Sequence, residues 1–480
     1  MNDYLNPLDS AFVLLDLPGS AMNIGAVIEL DFGDVSNPQQ RFEQIKLNIE
    51  KRLHEIPVLT QRLVRSPFDL TWPIMIPDRR FDIDHHVMRV ALPFPGTSDQ
   101  FDELVSRVLS TQLPSHRPLW QLLVIEGLAD GRAAIVLKIH HALADGVSGA
   151  ETFANLFDIS PEVREPTATS GSAQPHAELS STALLARGVR RVVQNPALGV
   201  WNIYRWLGRL REILVATAKA LNARGRHQST PGQPSLFEAR RTSLNGAAGL
   251  EKEYHRISVP LSDVKRAAKA RDASVTDVVI STTSGALSRL MRDRGEELAR
   301  DLVAFVPINV RAQGGASDLG NQLSGMLVSL HTDISDAEVR LRAISTDSQS
   351  TVGAQRELRA RLFQDIPRVL GPTLLSIGGK FISALGLFDR MPPIANLMIS
   401  SVPGPPIPLW LSGHRVVSAA PVGPLFGPFS LNITVLGFGE SLEFGLLGCA
   451  QRFEDLSSLR DYLHEEVLGL IASTAVEGLA

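Results

Sequence analysis

A chain of 480 residues is longer than one ordinary hydrophobic core serves, so two domains and a joining segment are expected. Its 47 lysines and arginines against 51 aspartates and glutamates leave a net charge of −4, which removes any global electrostatic ground for a nucleic-acid partner. One cysteine, Cys449, excludes an internal disulfide and a cysteine-rich zinc site, and with no basic-then-apolar leader the chain reads as intracellular.

Residues 1–160 alternate β-like runs, Ala26–Leu30 and Ala133–Ile139, with helix-like stretches, Gln39–Leu53 and Phe101–Leu113, and form one mixed α/β domain. Residues 161–242 join it to the rest. They hold two linker-like stretches, PEVREPTATSGSAQPHAELSST at Pro161–Thr182 and RGRHQSTPGQPS at Arg224–Ser235, on either side of a helical segment, Ala183–Arg226. That segment carries nine basic residues against one acid, Glu212, interleaved with Trp201, Tyr204, Trp206, Leu207 and Leu210, and Pro196 divides it into two helices. Basic charge with tryptophans at helical spacing suits a membrane or lipid-droplet surface; a hairpin packed on the body with a solvated basic face and a nucleic-acid contact are the alternatives. No window reaches the roughly 18 apolar residues a spanning helix needs. Even so, 44% hydrophobic residues and a mean hydropathy of +0.05 leave room for an apolar tunnel or a lipid-facing surface. Residues 243–480 return to mixed α/β, with helices at Asp263–Ala270 and Val275–Arg292 and β-like runs at Leu302–Val306, Gly325–His331, Asn396–Ser400, Leu431–Leu436 and Leu442–Leu447.

The apolar run Val136–Ile139 ends in His140-His141-Ala142-Leu143-Ala144-Asp145-Gly146. A histidine pair followed at this spacing by Asp-Gly arises by composition in roughly one such chain in a thousand. Successive strand side chains point to opposite faces, so one imidazole can face a cleft while the other packs inward. An imidazole so placed titrates near neutrality and can take a proton from an alcohol or thiol, then return it to a leaving group. Asp145 suits holding a ring or backbone, or pairing with an arginine, and Gly146 permits the tight turn. A metal site is disfavoured, because adjacent strand histidines diverge and no second ligand pair at helical spacing completes a shell. A second pair, His85-His86, lacks the Asp-Gly continuation and reads as structural.

The heptapeptide is similar to the HHxxxDG signature of the CoA-dependent acyltransferase superfamily, which includes chloramphenicol acetyltransferase, plant BAHD enzymes and peptide-synthetase condensation domains. The whole chain more closely resembles the bacterial wax ester synthase/diacylglycerol acyltransferase family. Its opening NPLDSAFVLLDLPGSAMNIGAVIEL, RPLW at Arg117–Trp120, TSLNG at Thr242–Gly246, VPINVR at Val306–Arg311, LGNQ at Leu319–Gln322, SSVPGP at Ser400–Pro405 and LNITVLGF at Leu431–Phe438 carry the likeness in the family's order. Two positions depart from the family's pattern: Thr276 stands where an asparagine is usual, with its hydroxyl still able to cap a helix, and Ser401 replaces an asparagine.

The resemblance implies two chloramphenicol-acetyltransferase-like lobes with an active-site tunnel at their interface, acyl-CoA entering from one side and diacylglycerol or a fatty alcohol from the other. His141 would be the catalytic base. His140, Asp145, Gly146, Arg311 as the partner of Asp145, and Asn432 would support it. Pro118, Leu119, Trp120, Thr276 and Asp277 are candidates for the substrate channel, although Pro-Leu-Trp reads equally as plain core. No cofactor is implied, since acyl-CoA is a substrate. The chain would be cytoplasmic and peripheral to the inner membrane or lipid droplets. An acyltransferase acting on a non-glyceride acceptor and a catalytically silent lipid-droplet or membrane adaptor remain as alternatives.

Overall fold

A computed structural model describes residues 4–32, 37–143, 155–165, 186, 190, 234, 238–296, 301–309, 323–350 and 370–477. The segment Ala183–Arg226 lies outside the described residues apart from positions 186 and 190. The architecture is mixed α/β in two lobes, each built on a six-stranded sheet. The first sheet runs, edge to edge, β11 (Trp410–Leu411), β12 (His414–Val422), β1 (Asn23–Asp31), β6 (Ala133–His140), β5 (Trp120–Glu126) and β4 (Val87–Ala91). The second runs β7 (Lys252–Pro260), β14 (Ser441–Cys449), β13 (Leu431–Phe438), β10 (Leu397–Pro403), β8 (Val303–Asn309) and β9 (Leu323–Ser329). β2 (Gln61–Val64) and β3 (Ile74–Pro77) form a separate antiparallel pair.

β6 is buried at every position, as its unbroken apolar run requires of a strand covered on both faces. On one face Ile135, Leu137 and Ile139 share a core with Phe12 of helix α1 (Pro7–Leu14) and with Ile45 and Ile49 of α2 (Pro38–Arg52). On the other, Ala134 and Val136 meet Phe101, Val105 and Leu109 of α3 (Ser98–Ser110), together with Tyr254 and Leu447 of the second lobe. Lys138 also sits on that face. Its ammonium donates to the carbonyls of Val108 and Thr111 and to the Thr111 hydroxyl, each at 2.8 Å, where the last turn of α3 needs donors. Burial pulls its pKa down to about 8. α3 begins earlier than its apolar period suggests, because Thr97 and Gln100 form a capping box.

In the second lobe α4 (Leu261–Ala270), α5 (Val275–Asp293) and α8 (Leu456–Glu477) share one large apolar core with the sheet, while α6 (Ala337–Ser350) adds Leu341 and Ile344. Among the described residues no helix is long and apolar enough to cross a membrane.

The division of the chain at 161–242 needs one correction. β12, from the 243–480 stretch, pairs antiparallel with β1 from Gly25 to Asp31, and β11 extends the same sheet. Without it β1 would present an open row of backbone N–H and C=O groups. The second sheet's β7 edge is covered in a different way. Ser106 and Ser110, four residues apart on α3, accept the N–H groups of Tyr254 at 2.9 Å and Lys252 at 2.8 Å. Asp102, one turn earlier, bonds the His255 ring at 3.0 Å, and Glu253 bonds its other nitrogen at 3.0 Å.

Burial pulls the His255 pKa down, but those two carboxylates outweigh it and lift the ring from 6.5 to about 9. A ring whose folded pKa stands above its unfolded value stabilises fully below the unfolded value and loses that contribution as pH rises through the folded one. Urea midpoints should therefore fall between pH 6.5 and about 9, and His255→Gln should flatten that part of the curve; an unchanged slope would remove His255 from the account.

A second tie is buried outright. Arg52, at the end of α2, meets both oxygens of Asp158 at 2.7 and 2.8 Å, and each side chain is 2% exposed. Asp158 also exchanges two backbone bonds of 2.8 Å with Trp410. Arg52→Met should cost about 3–5 kcal/mol in chemical denaturation, since it leaves a buried carboxylate unpaired; a loss under about 1 kcal/mol would contradict that role.

Candidate functional site

β6 ends at His140 and the chain turns at once into a short 3-10 turn, His141–Leu143. Three hydrogen bonds set this ending. The His140 N–H donates to Leu119 C=O at 2.9 Å, and the His141 N–H donates to Met22 C=O at 2.7 Å. The Ala142 N–H donates to Nδ1 of the His140 ring at 3.1 Å. An imidazole nitrogen that accepts a bond carries no proton, so the neutral His140 ring holds its hydrogen on Nε2. Nε2 lies 3.5 Å from Asp16 Oδ2, and Asp16 Oδ1 accepts the Met22 N–H at 3.4 Å. His140 is thus buried, 1% exposed, with Nδ1 occupied and Nε2 facing the Asp16 carboxylate.

His141 turns to the other side, as the alternation along the strand requires, and is half-buried. Its ring lies against Phe12 of α1, with centroids 4.2 Å apart and planes inclined at 37°. One imidazole is therefore built into the fold, and its neighbour is left partly open with one face on an aromatic ring. Phe12, Asp16 and Met22 are not singled out by the HHxxxDG motif, and no spacing in the sequence ties them to it.

Asp145, Gly146 and Arg311 lie outside the described residues. Pro118, Leu119 and Trp120 are all buried. Trp120 is 1% exposed, its indole N–H donates to Leu59 C=O at 2.8 Å, and its ring stacks on His86 at 4.7 Å. These are the contacts of a core residue rather than a channel wall. What the Pro-Leu-Trp segment gives the site is the Leu119 carbonyl that holds His140. His86 is equally built in, with Nδ1 at 2.9 Å from Trp120 C=O and Phe81 stacked on its other side at 5.1 Å.

Asn432 does not offer a free amide. Its Nδ2 donates to Pro424 C=O at 2.7 Å and lies 3.2 Å from the Met398 sulfur, and its oxygen accepts the Thr434 hydroxyl at 2.8 Å. It holds the crossing where β12 leaves the first sheet at Val422, opposite Gly25, two residues short of the Asn23–His140 pair. A Cβ on Gly423 would stand 2.2 Å from the Thr434 hydroxyl and 2.5 Å from that amide oxygen, so any larger residue there would have to displace this pair.

The cap of α5 also differs from expectation. Ser274, not Thr276, is the N-cap: its hydroxyl accepts the Asp277 N–H at 3.1 Å, and Asp277 accepts the Ser274 N–H at 2.8 Å. Thr276 is already inside the first turn. The buried Asp277 accepts the Ser348 hydroxyl as well, at 2.6 Å, so its charge serves the helix start and the α5–α6 contact. Among the described residues Asp301, His331 and Asp333 come together at ligand-like separations. Asp301 spends its oxygens on the N–H groups of His331 and Thr332, both at 2.7 Å, and His331 Nε2 bonds Asp347 at 2.6 Å, so the group reads as a capped turn.

The family model of the wax ester synthase/diacylglycerol acyltransferase catalytic domain matches residues 5–279, and that of the WS/DGAT C-terminal domain matches residues 319–470. A relative from Mycobacterium tuberculosis, named a probable diacylglycerol O-acyltransferase, is 29% identical over 482 residues, covering 98% of this chain and 96% of its own. Another from that organism, whose name proposes the same activity, is 32% identical over 473 residues, covering 96% and 97%. The solved wax ester synthase/diacylglycerol acyltransferase of Marinobacter aquaeolei VT8 has the same fold, with a TM-score of 0.65 at 23% identity over 98% of this chain and 100% of that one. The first condensation domain of the calcium-dependent antibiotic synthetase, solved with a substrate analogue, superposes with a TM-score of 0.55 at 18% identity over 98% and 97%.

Asp16→Ala should leave the Met22 N–H short of its side-chain acceptor and remove the carboxylate facing His140 Nε2. The expected cost is about 1–3 kcal/mol in denaturation, with faster amide exchange at His141 and Ala142. Exchange at those two amides unchanged from wild type would show that Asp16 does not hold the strand end.

Proposed function

The chain belongs to the wax ester synthase/diacylglycerol acyltransferase family and is an acyltransferase, and on that premise we propose that it moves a long-chain acyl group from acyl-CoA to a lipid alcohol, diacylglycerol or a fatty alcohol, with His141 as general base. The observation that carries this reading is the placement of the two histidines: His140 is buried with Nδ1 on the Ala142 N–H and Nε2 facing Asp16, while His141 is half-buried against Phe12 at the end of a strand that cannot shift.

The steps follow from that placement. His141 takes the proton of the acceptor hydroxyl as its oxygen attacks the thioester carbonyl. The tetrahedral oxyanion collapses, the C–S bond breaks, and the proton on His141 passes to the departing CoA thiolate. The products are an ester and free CoA, and the histidine ends neutral as it began. The sequence holds no G-x-S-x-G nucleophile motif, which supports direct transfer without an acyl-enzyme.

The proposal includes a tunnel between the lobes, Asp145 holding the loop with Arg311 as its partner, and Gly146 in the turn; their support is the HHxxxDG motif. It also includes peripheral association with the cytoplasmic face of the inner membrane or with lipid droplets through Ala183–Arg226, supported by that segment's nine basic residues and its tryptophans.

The test is CoA release by purified protein given palmitoyl-CoA with dioleoylglycerol or hexadecanol. His141→Ala should lose roughly 10²–10⁴-fold in turnover while keeping its denaturation midpoint. The faster acceptor distinguishes storage fat from wax. Turnover in His141→Ala equal to wild type would overturn the assignment of the base, and no turnover with either alcohol would turn the search to a non-glyceride acceptor.

A further inference from the structure

Helix α7, residues 370–384, belongs to neither sheet layer. Its inner face rests on α1. Leu375 is 6% exposed against Ala11 and Leu14, and a Cβ at Gly379 would come within 2.6 Å of Leu15. A second face is fastened to the neighbouring turn: the Thr373 hydroxyl donates to Asp69 C=O at 2.8 Å and Arg65 Nη2 donates to Ser376 Oγ at 3.4 Å. The face left over carries Leu374, Ile377 and Phe381, with Leu385 just beyond the last turn. Spacings of three, four and four residues put these in one stripe, and they are 41%, 58%, 60% and 47% exposed.

The fastened turn adds to it. Phe68 is 82% exposed and held in the left-handed region, φ 57°, a conformation that favours glycine. A phenyl ring displayed there is unfavourable both for solvation and for backbone geometry unless something apolar receives it.

The local charge says what. Asp69 is taken by Arg65 at 2.9 and 2.6 Å, and Asp389 by Arg452 at 2.6 Å. Among its described residues the helix has no acidic side chain, and Lys380 and Arg390 are exposed, so the charge left around the stripe is positive. Apolar side chains flanked by cations match the acyl boundary and anionic headgroups of a lipid surface. The location agrees with that occupant. α1 is shared: Ala11 and Leu14 receive α7, and Phe12 lies on His141. α7 is therefore separated from the His141 ring by one helix, α1, a layer of about 10 Å.

We propose that the α7 stripe, with Phe68, is a docking face for an anionic lipid surface, seating the enzyme so that a lipid acceptor passes around α1 to His141. It rests on the proposed lipid acceptor and is independent of Ala183–Arg226. The test compares full-length wild type with Ile377→Ser/Phe381→Ser and with Phe68→Ser in sedimentation with vesicles of phosphatidylcholine and phosphatidylglycerol, circular dichroism confirming the fold. Vesicle binding should fall at least about tenfold in both variants, and turnover of palmitoyl-CoA with water-soluble hexanol should stay at the wild-type rate. Lys380→Glu should weaken binding to these vesicles and leave binding to pure phosphatidylcholine unchanged. Binding unchanged in the serine variants would overturn the docking face, as would a wild-type dimer that Ile377→Ser/Phe381→Ser splits, since the stripe would then cover a second copy. If no alcohol is acylated by the wild type while the serine variants still lose vesicle binding, the acceptor assignment fails and the docking face stands.

Discussion

Strand β6 is covered on both faces, so every residue along it is committed before the chain reaches His140. β1 and β5 hold its backbone from the sides, α1 and α2 press on one face, and α3 with the second lobe presses on the other. A strand so held cannot slip by one residue without turning its apolar set outward. That constraint is what makes a histidine at its end a precise instrument: His140 finds Asp16 and the Ala142 amide, and His141 is left facing the opposite way against Phe12. The chemistry assigned to His141 depends on the burial of Val136 and Ile139 as much as on the imidazole.

The lobes are joined by covering each other's sheet edges. β12 closes β1, and α3 closes β7 with two serine hydroxyls and the Asp102–His255 bond. Asn432 secures the point where the chain passes from one sheet to the other, through Pro424. A substitution at these ties acts on the site without touching a reacting atom, because the ties fix how the second lobe meets the strand that carries the histidines.

Much of this was legible from residue pattern. The continuous apolar run before His140 reads as a strand buried on both sides, and alternation along it gives the two histidines different roles. Helix interiors follow from apolar spacing, and α5 begins at Val275 where that spacing puts it, but Thr97 with Gln100 begins α3 three residues before its apolar stripe shows itself. Three features were not legible. Pairing of residues 414–422 with β1 is a contact across some four hundred residues of chain, which no local pattern encodes. Trp120 and Asn432 carry side chains that suit a channel or an oxyanion site; only the Leu59 and Pro424 carbonyls show that their polar atoms are already spent. Asp16 lacks a motif of its own, and its part appears only when the fold brings α1 to the end of β6.

The central claim is that the acyl group passes directly from donor to acceptor, with His141 moving the proton. Rapid chemical quench with radiolabelled palmitoyl-CoA, acceptor first withheld and then added, tests it most directly. Direct transfer predicts no stoichiometric burst of CoA and no labelled protein until the alcohol is present, then CoA and ester formed together. A burst of one CoA per enzyme with label retained on the denatured protein would contradict it.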